Sequence, residues 1–404
     1  MKRKFFLLSI CFLYQLSGYS QSREVLYIAH LIRPDGIEIP FQFTAPLSQT
    51  GSYFWNINNG KEHIRVDKFE AIGDSVRVSM PLFESYFMIK RIGNSFKGRW
   101  VKGGSQSDQI MAFSAEPNTG TKKATAKVQI NGKWAVVFTG ADGKSNPAIG
   151  EFIQKGDLLT GTFLTTTGDY RYLGGSVNAD SFQLYTFDGG HAFLFTGKAG
   201  KGGIKDGKFY SGLVYKESWF AKKDAGARMP ENASAVYLRK GEERISFAFP
   251  DLSGDTVRSN DRRFKDKVVI VQIMGSWCPN CMDETAFLSD FYNRYKSKGL
   301  EIVSLAYELT LNKERSVKSL LKFKDKFQVQ YPMLITDVTV NDSLRTEKTL
   351  PQLTPIKMFP TTIIIGKDGI VRKIDTGFVG PGTGSYFDTY RKKFTAEIEE
   401  LLQQ

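Results

Sequence analysis

The segment GSWCPNC, residues 275–281, stands directly after the apolar run VVIVQIM at residues 268–274. Two cysteines two residues apart, between a β-branched run and a helical pattern, restrict what this part of the chain can become. The pair is a structural staple, half of a metal site or a redox couple. The chain of 404 residues holds three cysteines, Cys11, Cys278 and Cys281. A structural disulfide gains from closing a long loop, and this pair closes almost none. A zinc site takes about four ligands, and the three histidines, His30, His63 and His191, lie far upstream. Haem attachment needs histidine directly after the second cysteine, where Met282 stands. Redox chemistry is the best account of Cys278 and Cys281, with no metal and no organic cofactor expected.

The N-terminus sharpens this reading. MKRK supplies a positive start, FFLLSICFLY an apolar stretch and SGYSQ a small-residue end, the pattern of an export signal over residues 1–20. The stretch is about ten residues long, against the roughly twenty of a spanning helix. Cleavage after Ser20 removes Cys11 and leaves one cysteine pair in a soluble protein of the oxidising periplasm. Ile10 stands where a lipid-attachment signal at Cys11 would have a small residue. The net charge of +13 is spread without basic blocks. It points away from nucleic acid and leaves weak attraction to anionic surfaces, and with it peripheral membrane association, open.

From Val268 onward, strand and helix patterns alternate. KVVIVQIMGSW is bounded by charge and glycine, as a buried central strand is. CPNCMDETAFLSDFYNRYKSKG places Phe287, Leu288, Phe291 and Tyr295 at helical spacing, with Gly299 as a stop. LEIVSLAYE predicts a second strand, and NKERSVKSLLKFKDKFQ a helix with Val317, Leu320, Leu321 and Phe327 on one side. YPMLIT predicts a short strand, FPTTIIIGKDGIVRKIDTG a hairpin through GKDG, and SYFDTYRKKFTAEIEELLQQ a closing helix. The order β-α-β-α-β-β-α, with the cysteines where the first strand meets the first helix, is that of an α/β thioredoxin fold.

Position assigns roles to the pair. A helix N-terminus offers unsatisfied N–H groups and a positive dipole end, which favour the thiolate that disulfide exchange requires. Cys278 is therefore expected to be the exposed nucleophile, and Cys281, one turn further in, the resolving thiol. Pro279 lacks an N–H where a helix start needs none. Glu284 lies three residues past Cys281, on roughly the same helix face. It either exchanges a proton with Cys281 from a buried site or stands exposed as a helix-start charge. Trp277 reads as a packing platform beside the sulfurs.

Residues from about 246 to 404 resemble the TlpA-like extracytoplasmic thioredoxins, a family that includes the ResA-type proteins of cytochrome c maturation. The resemblance rests on WCPNC, on Glu284, and on FPTTIIIGKDGIV about eighty residues downstream, and covers the last two-fifths of the chain. It implies a thiol-disulfide oxidoreductase that reduces a protein disulfide and is itself re-reduced by a membrane thiol donor. It favours the proton relay through Glu284 and implies a cis-proline at Pro360 facing the disulfide, where the residues alone also allow a plain strand-initiating proline. A cis bond there would open the Phe359 carbonyl and the neighbouring backbone to an incoming peptide. Trp277, Pro279, Phe359 and Thr361 are the expected substrate-side residues. Phe359 departs from the small or β-branched residue common before this proline.

Two further segments belong to this region. The insertion DVTVNDSLRTEKTLPQLTPIKM offers Leu344, Leu350, Leu353 and Ile356 to fold against the rim of the domain. TGFVGPGTG, residues 376–384, reads as a turn; as a phosphate cradle it lacks the P-loop lysine.

Residues 21–245 differ in character. Short alternating runs such as DSVRVSM, YFMIKRIG, KWAVVFTG and SFQLYTF, separated by glycine-bearing turns, predict an all-β sandwich or up-and-down barrel. GDSVRVSMPLFESYFMI and ADSFQLYTFDGGHAFLF echo each other, which suggests two related halves at about 21–120 and 121–245. Two functions of different class compete. One is the redox enzyme. The other is a ligand- or partner-binding protein whose β region carries the function. A thiol peroxidase is the enzymatic alternative, against which Gly275 counts, because it occupies the position of that family's hydroxyl residue.

Overall fold

A computed structural model describes residues 24–46, 53–120, 125–230 and 235–404. The expected export signal and Cys11 lie outside the described residues. No helix among the described residues is long and apolar enough to cross a membrane.

The first nine strands form one antiparallel sheet in which sequence neighbours are space neighbours, with one exception. Strand Glu24–Ile32 pairs with the last strand, Gln109–Pro117, and this curls the sheet into a barrel left open between Glu62–Val66 and Lys68–Ile72. Alternate side chains turn inward, as a pleated strand dictates. Phe41, Phe43, Trp55, Phe87 and Phe113 thereby stack into an aromatic core. The next nine strands form a second sheet that closes. Gly132–Thr139 pairs with both Ser145–Lys155 and Tyr215–Lys223, and Ser145–Lys155 also pairs with Leu158–Thr165. Of the two architectures expected, these are barrels. In the second, closure removes the unpaired edges that a sandwich leaves.

Both echoing segments are hairpins, Ser75–Ser79 with Ser85–Ile92 and Ser181–Phe187 with Ala192–Gly200. Their turns meet: Ser85 Oγ donates to the Gly189 carbonyl, and Phe83 packs so tightly on Gly190 that a Cβ there would lie 2.4 Å from its ring. Tyr185, Phe187, Ala192 and Leu194 of the second barrel belong to the core of the first.

The C-terminal region is a thioredoxin fold. Its five-stranded sheet runs in the order Met333–Ile335, Leu300–Ala306, Val268–Met274, Thr361–Ile365, Val371–Thr376; the first three are parallel and the last two antiparallel to their neighbours. Helices α1 (Pro279–Tyr295), α2 (Lys313–Phe327), α3 (Arg345–Thr349) and α4 (Ser385–Gln403) complete it. Strand Val268–Met274 is buried throughout. Val268, Ile270 and Met274 meet Phe287, Leu288, Phe291, Phe323 and Phe394 of the helices. Val269, Val271 and Ile273 meet the opposite layer, built from Val236, Ile245, Phe247 and the insertion.

Two expectations are corrected here. In the insertion, Leu350, Leu353 and Ile356 are buried beneath the sheet, but Leu344 is 53% exposed at the start of α3. On α2 the inner stripe is Ser316, Ser319, Leu320 and Phe323, and Leu321 points outward. A residue next to Leu320 is rotated by about 100°, whereas Phe323 at i+3 returns to the same face.

Candidate active site

Val268–Met274 delivers its last residue to the C-terminal edge of the sheet, and the chain turns through residues 275–277 into α1. Cys278 is the N-cap, in extended conformation, with Pro279 in the first helical position. Its sulfur accepts the Cys281 N–H at 3.2 Å, and its carbonyl accepts the Met282 N–H at 3.1 Å. Cys281 is fully buried one turn behind. Burial, then the hydrogen bond with Cys278 and the charges of Cys278 and Glu284, push its thiol well above the ordinary range.

The opposite wall is the segment before strand Thr361–Ile365. The Phe359–Pro360 bond is cis, and the Phe359 carbonyl accepts from Cys278 Sγ at 3.6 Å. Trp277 stands edge-on to Phe359 at 5.4 Å and donates its indole N–H to the Tyr307 carbonyl at 2.9 Å. It is a packing platform, locked at both ends. Thr361, expected on the substrate side, is instead fully buried, its hydroxyl donating to the Met358 carbonyl at 3.0 Å. Successive strand side chains alternate in direction, and this one turns into the domain.

Glu284 is 1% exposed, so it is no helix-start charge. One carboxylate oxygen accepts from Thr362 Oγ1 at 2.6 Å and the other from Gln272 Nε2 at 2.9 Å. Gln272 is oriented in turn by Ser304 Oγ, which donates to its carbonyl at 2.7 Å. Burial pushes the Glu284 carboxyl up to about 7, against the downward pull of those two hydrogen bonds. A second buried carboxylate, Glu308, accepts from the Ser276 N–H at 2.9 Å and hydroxyl at 2.6 Å and fixes the turn before Cys278. Burial raises its proton affinity as well.

Cys278 itself departs from expectation. It is 3% exposed, not an open nucleophile. Leu82 and Phe83 of the first barrel join the same apolar cluster as both cysteines and Met282. The loop at residues 376–384 is no phosphate cradle, because its Gly380 N–H is taken by the Asp169 carboxylate at 2.7 Å.

The region that holds this site is similar to known proteins. Residues 241–374 match the model of the AhpC/TSA family. The thiol-disulfide oxidoreductase ResA of Bacillus thuringiensis subsp. konkukian is 29% identical over 155 residues, 38% of this chain and 78% of the relative. A ResA of Bacillus cereus is 30% identical over 159 residues, 39% of this chain and 80% of the relative. The chain belongs to the ResA family of thiol-disulfide oxidoreductases. Among solved structures, the thioredoxin domain of a thiol-disulfide oxidoreductase from Bacteroides vulgatus is similar at 24% identity, covering 39% of this chain and 98% of that one, with a TM-score of 0.28. The match to the ResA relatives spans less than half of this oxidoreductase, and the AhpC/TSA match lies wholly outside the two barrels.

Sequence reasoning missed several residues of the site. Gln272 carried a signal, a polar residue interrupting the run VVIVQIM. Thr362 and Glu308 carried none, since their importance comes from facing Glu284 and Ser276 across the fold.

Proposed function

We propose that this oxidoreductase reduces protein disulfides in the periplasm through a mixed disulfide on Cys278. The thiolate of Cys278 attacks one sulfur of the substrate disulfide; that S–S bond breaks and one substrate thiolate leaves. Cys281 then attacks Cys278 Sγ, the mixed disulfide breaks, and the second substrate thiol departs. Two electrons pass from the dithiol to the substrate, and the Cys278–Cys281 disulfide remains. Exchange with a membrane-bound dithiol donor restores the reduced pair.

The observation that supports this reading best is the arrangement at the start of α1. The attacking sulfur is the N-cap acceptor, with the wholly buried Cys281 behind it and an acid raised to about 7 on the same helix. Cys281 holds its proton tightly and must lose it as it attacks. Glu284, ionised above about pH 7, would receive it. Trp277, Pro279 and Phe359 form the lip that a substrate peptide would meet, and the positive charge left after removal of residues 1–20, +13 less the three of Lys2, Arg3 and Lys4, suits loose association with an anionic membrane surface. The test is single turnover by the reduced chain on insulin, followed by alkylation and mass spectrometry. A two-hydrogen loss located at Cys278 and Cys281 is expected. Consumption of hydrogen peroxide without reduction of either insulin or a small disulfide would replace the reading with a peroxidase.

A further inference from the structure

An attacking sulfur must meet a disulfide carried on another protein, yet both sulfurs here are buried. The second barrel contributes to this enclosure at the motif itself. Asn280 lies between the two cysteines with its carboxamide against the Asp169 backbone; with the amide oxygen and nitrogen exchanged, the orientation that satisfies both groups, it donates to the Asp169 carbonyl and accepts the Asp169 N–H, both at 3.1 Å. The approach is close because residue 168 is glycine. Its φ is +141°, and a Cβ there would fall 1.9 Å from the Asn280 carboxamide. The same turn runs along the loop at residues 376–384. A Cβ on Gly377 would lie 3.3 Å from the Thr167 carbonyl, and the Gly377 N–H itself donates to the Pro360 carbonyl at 2.9 Å. The turn is thus continuous with both the motif and the cis-proline segment.

One side chain pins it. Arg171, 5% exposed, grips Asp283 of α1 with Nε to Oδ2 at 2.7 Å and Nη2 to Oδ1 at 2.9 Å. Its Nη2 also reaches Glu62 of the first barrel. On the opposite flank the first barrel holds α2, through Glu84 with Arg315 at 2.7 Å and the Phe83 carbonyl with Lys322 Nζ at 3.2 Å. The dithiol therefore lies between two barrel walls.

We propose that the turn at residues 165–171 is a specificity-determining element of the oxidoreductase. Docked through Asn280 and Arg171, it holds the dithiol away from disulfides on a broad folded surface and favours those on a small or extended carrier. This rests on Cys278 being the attacking sulfur. Undocking the turn widens the accepted range, and two substitutions undock it by independent physics. Arg171→Met removes the grip on Asp283; Gly168→Ala places a methyl group where the Asn280 carboxamide lies.

The experiment uses the reduced full-length chain. Labelling of Cys278 by N-ethylmaleimide is compared with labelling by a polyethylene-glycol maleimide, and single-turnover reduction of hydroxyethyl disulfide with that of insulin. The unmodified chain should prefer the small partner in both comparisons. Each folded variant should raise the large-to-small ratio by about tenfold or more, which for Arg171→Met is well inside what breaking a buried ion pair can supply. Equal rates for small and large partners in the unmodified chain overturn the proposal, and so does an unchanged ratio in a variant with native thermal unfolding. If neither variant folds, the comparison on the unmodified chain decides. Selective labelling without reduction of either disulfide would leave the wall standing and refute the chemistry assigned to Cys278.

Discussion

Replacing Glu284 by glutamine should move stability and rate in opposite directions. In the unfolded chain this carboxyl titrates near its ordinary 4.5, and in the folded chain burial raises it to about 7. Between those values the folded state holds a proton that the unfolded state has released, so stability falls as pH rises through the window. The rise from 4.5 to about 7, at about 1.4 kcal/mol for each tenfold change in proton affinity, amounts to about 3 kcal/mol. That cost is present in full above pH 7 and absent below 4.5. Glutamine never ionises and fits the same space. Its carbonyl can still accept from Thr362, while Gln272 must rotate to keep a partner, a loss of about 1 kcal/mol. The variant should therefore gain about 2 kcal/mol over the parent at pH 8 and lose about 1 kcal/mol against it at pH 4.5, where only the hydrogen-bond loss remains. Asp169, also raised to about 7 by burial, acts alike in both proteins and cancels in the difference. Urea unfolding of the oxidised chains at the two pH values measures it. Release of substrate from the mixed disulfide should meanwhile slow by about a hundredfold, the lower end of the range for a positioned acid–base group. The rise in release rate through about pH 7 should vanish with it. A variant whose stability relative to the parent is no greater at pH 8 than at pH 4.5 refutes the buried-acid argument. Unchanged release refutes the proton transfer.

Other outcomes follow from the same geometry. Cys281→Ser should accumulate a mixed disulfide between Cys278 and substrate on non-reducing gels after acid quench, and Cys278→Ser should accumulate none; the reverse pattern would exchange their roles. Purified protein should retain no stoichiometric zinc by elemental analysis, because among the described residues no group of three or more His, Cys, Asp or Glu side chains is arranged to hold a metal ion. Leu353→Ala should cost about 2–5 kcal/mol in denaturant unfolding, the range for emptying a packed core site, whereas Leu344→Ala, at an exposed position, should lie within about 0.5 kcal/mol of the parent. Equal effects of the two would contradict the burial of the insertion beneath the sheet.

What was legible in the chain alone was whatever depends on near neighbours. The apolar β-branched run, the helical spacing of Phe287, Leu288, Phe291 and Tyr295, and the GKDG turn each specify local backbone, and together they yield the thioredoxin order with the cysteines at a strand–helix junction. Alternation and glycine turns likewise announced the β region, because a pleat with one buried face writes itself into the sequence with period two. What the chain alone left undecided depended on which distant surfaces meet. Sandwich or barrel turned on a long-range pairing, of Glu24–Ile32 with Gln109–Pro117 and of Gly132–Thr139 with Tyr215–Lys223, which no local pattern encodes. Glu284 reads identically on a bare helix and in a sealed interior; only Thr362, Gln272 and the layers around them make it an acid that holds its proton near neutrality. Cys278 was expected in the open because an isolated thioredoxin fold presents its helix start to solvent. Arg171 and Gly168, more than a hundred residues upstream, bring a barrel turn against that helix, because an arginine–carboxylate pair and a side-chain-free turn allow an approach visible only once the two regions are folded together.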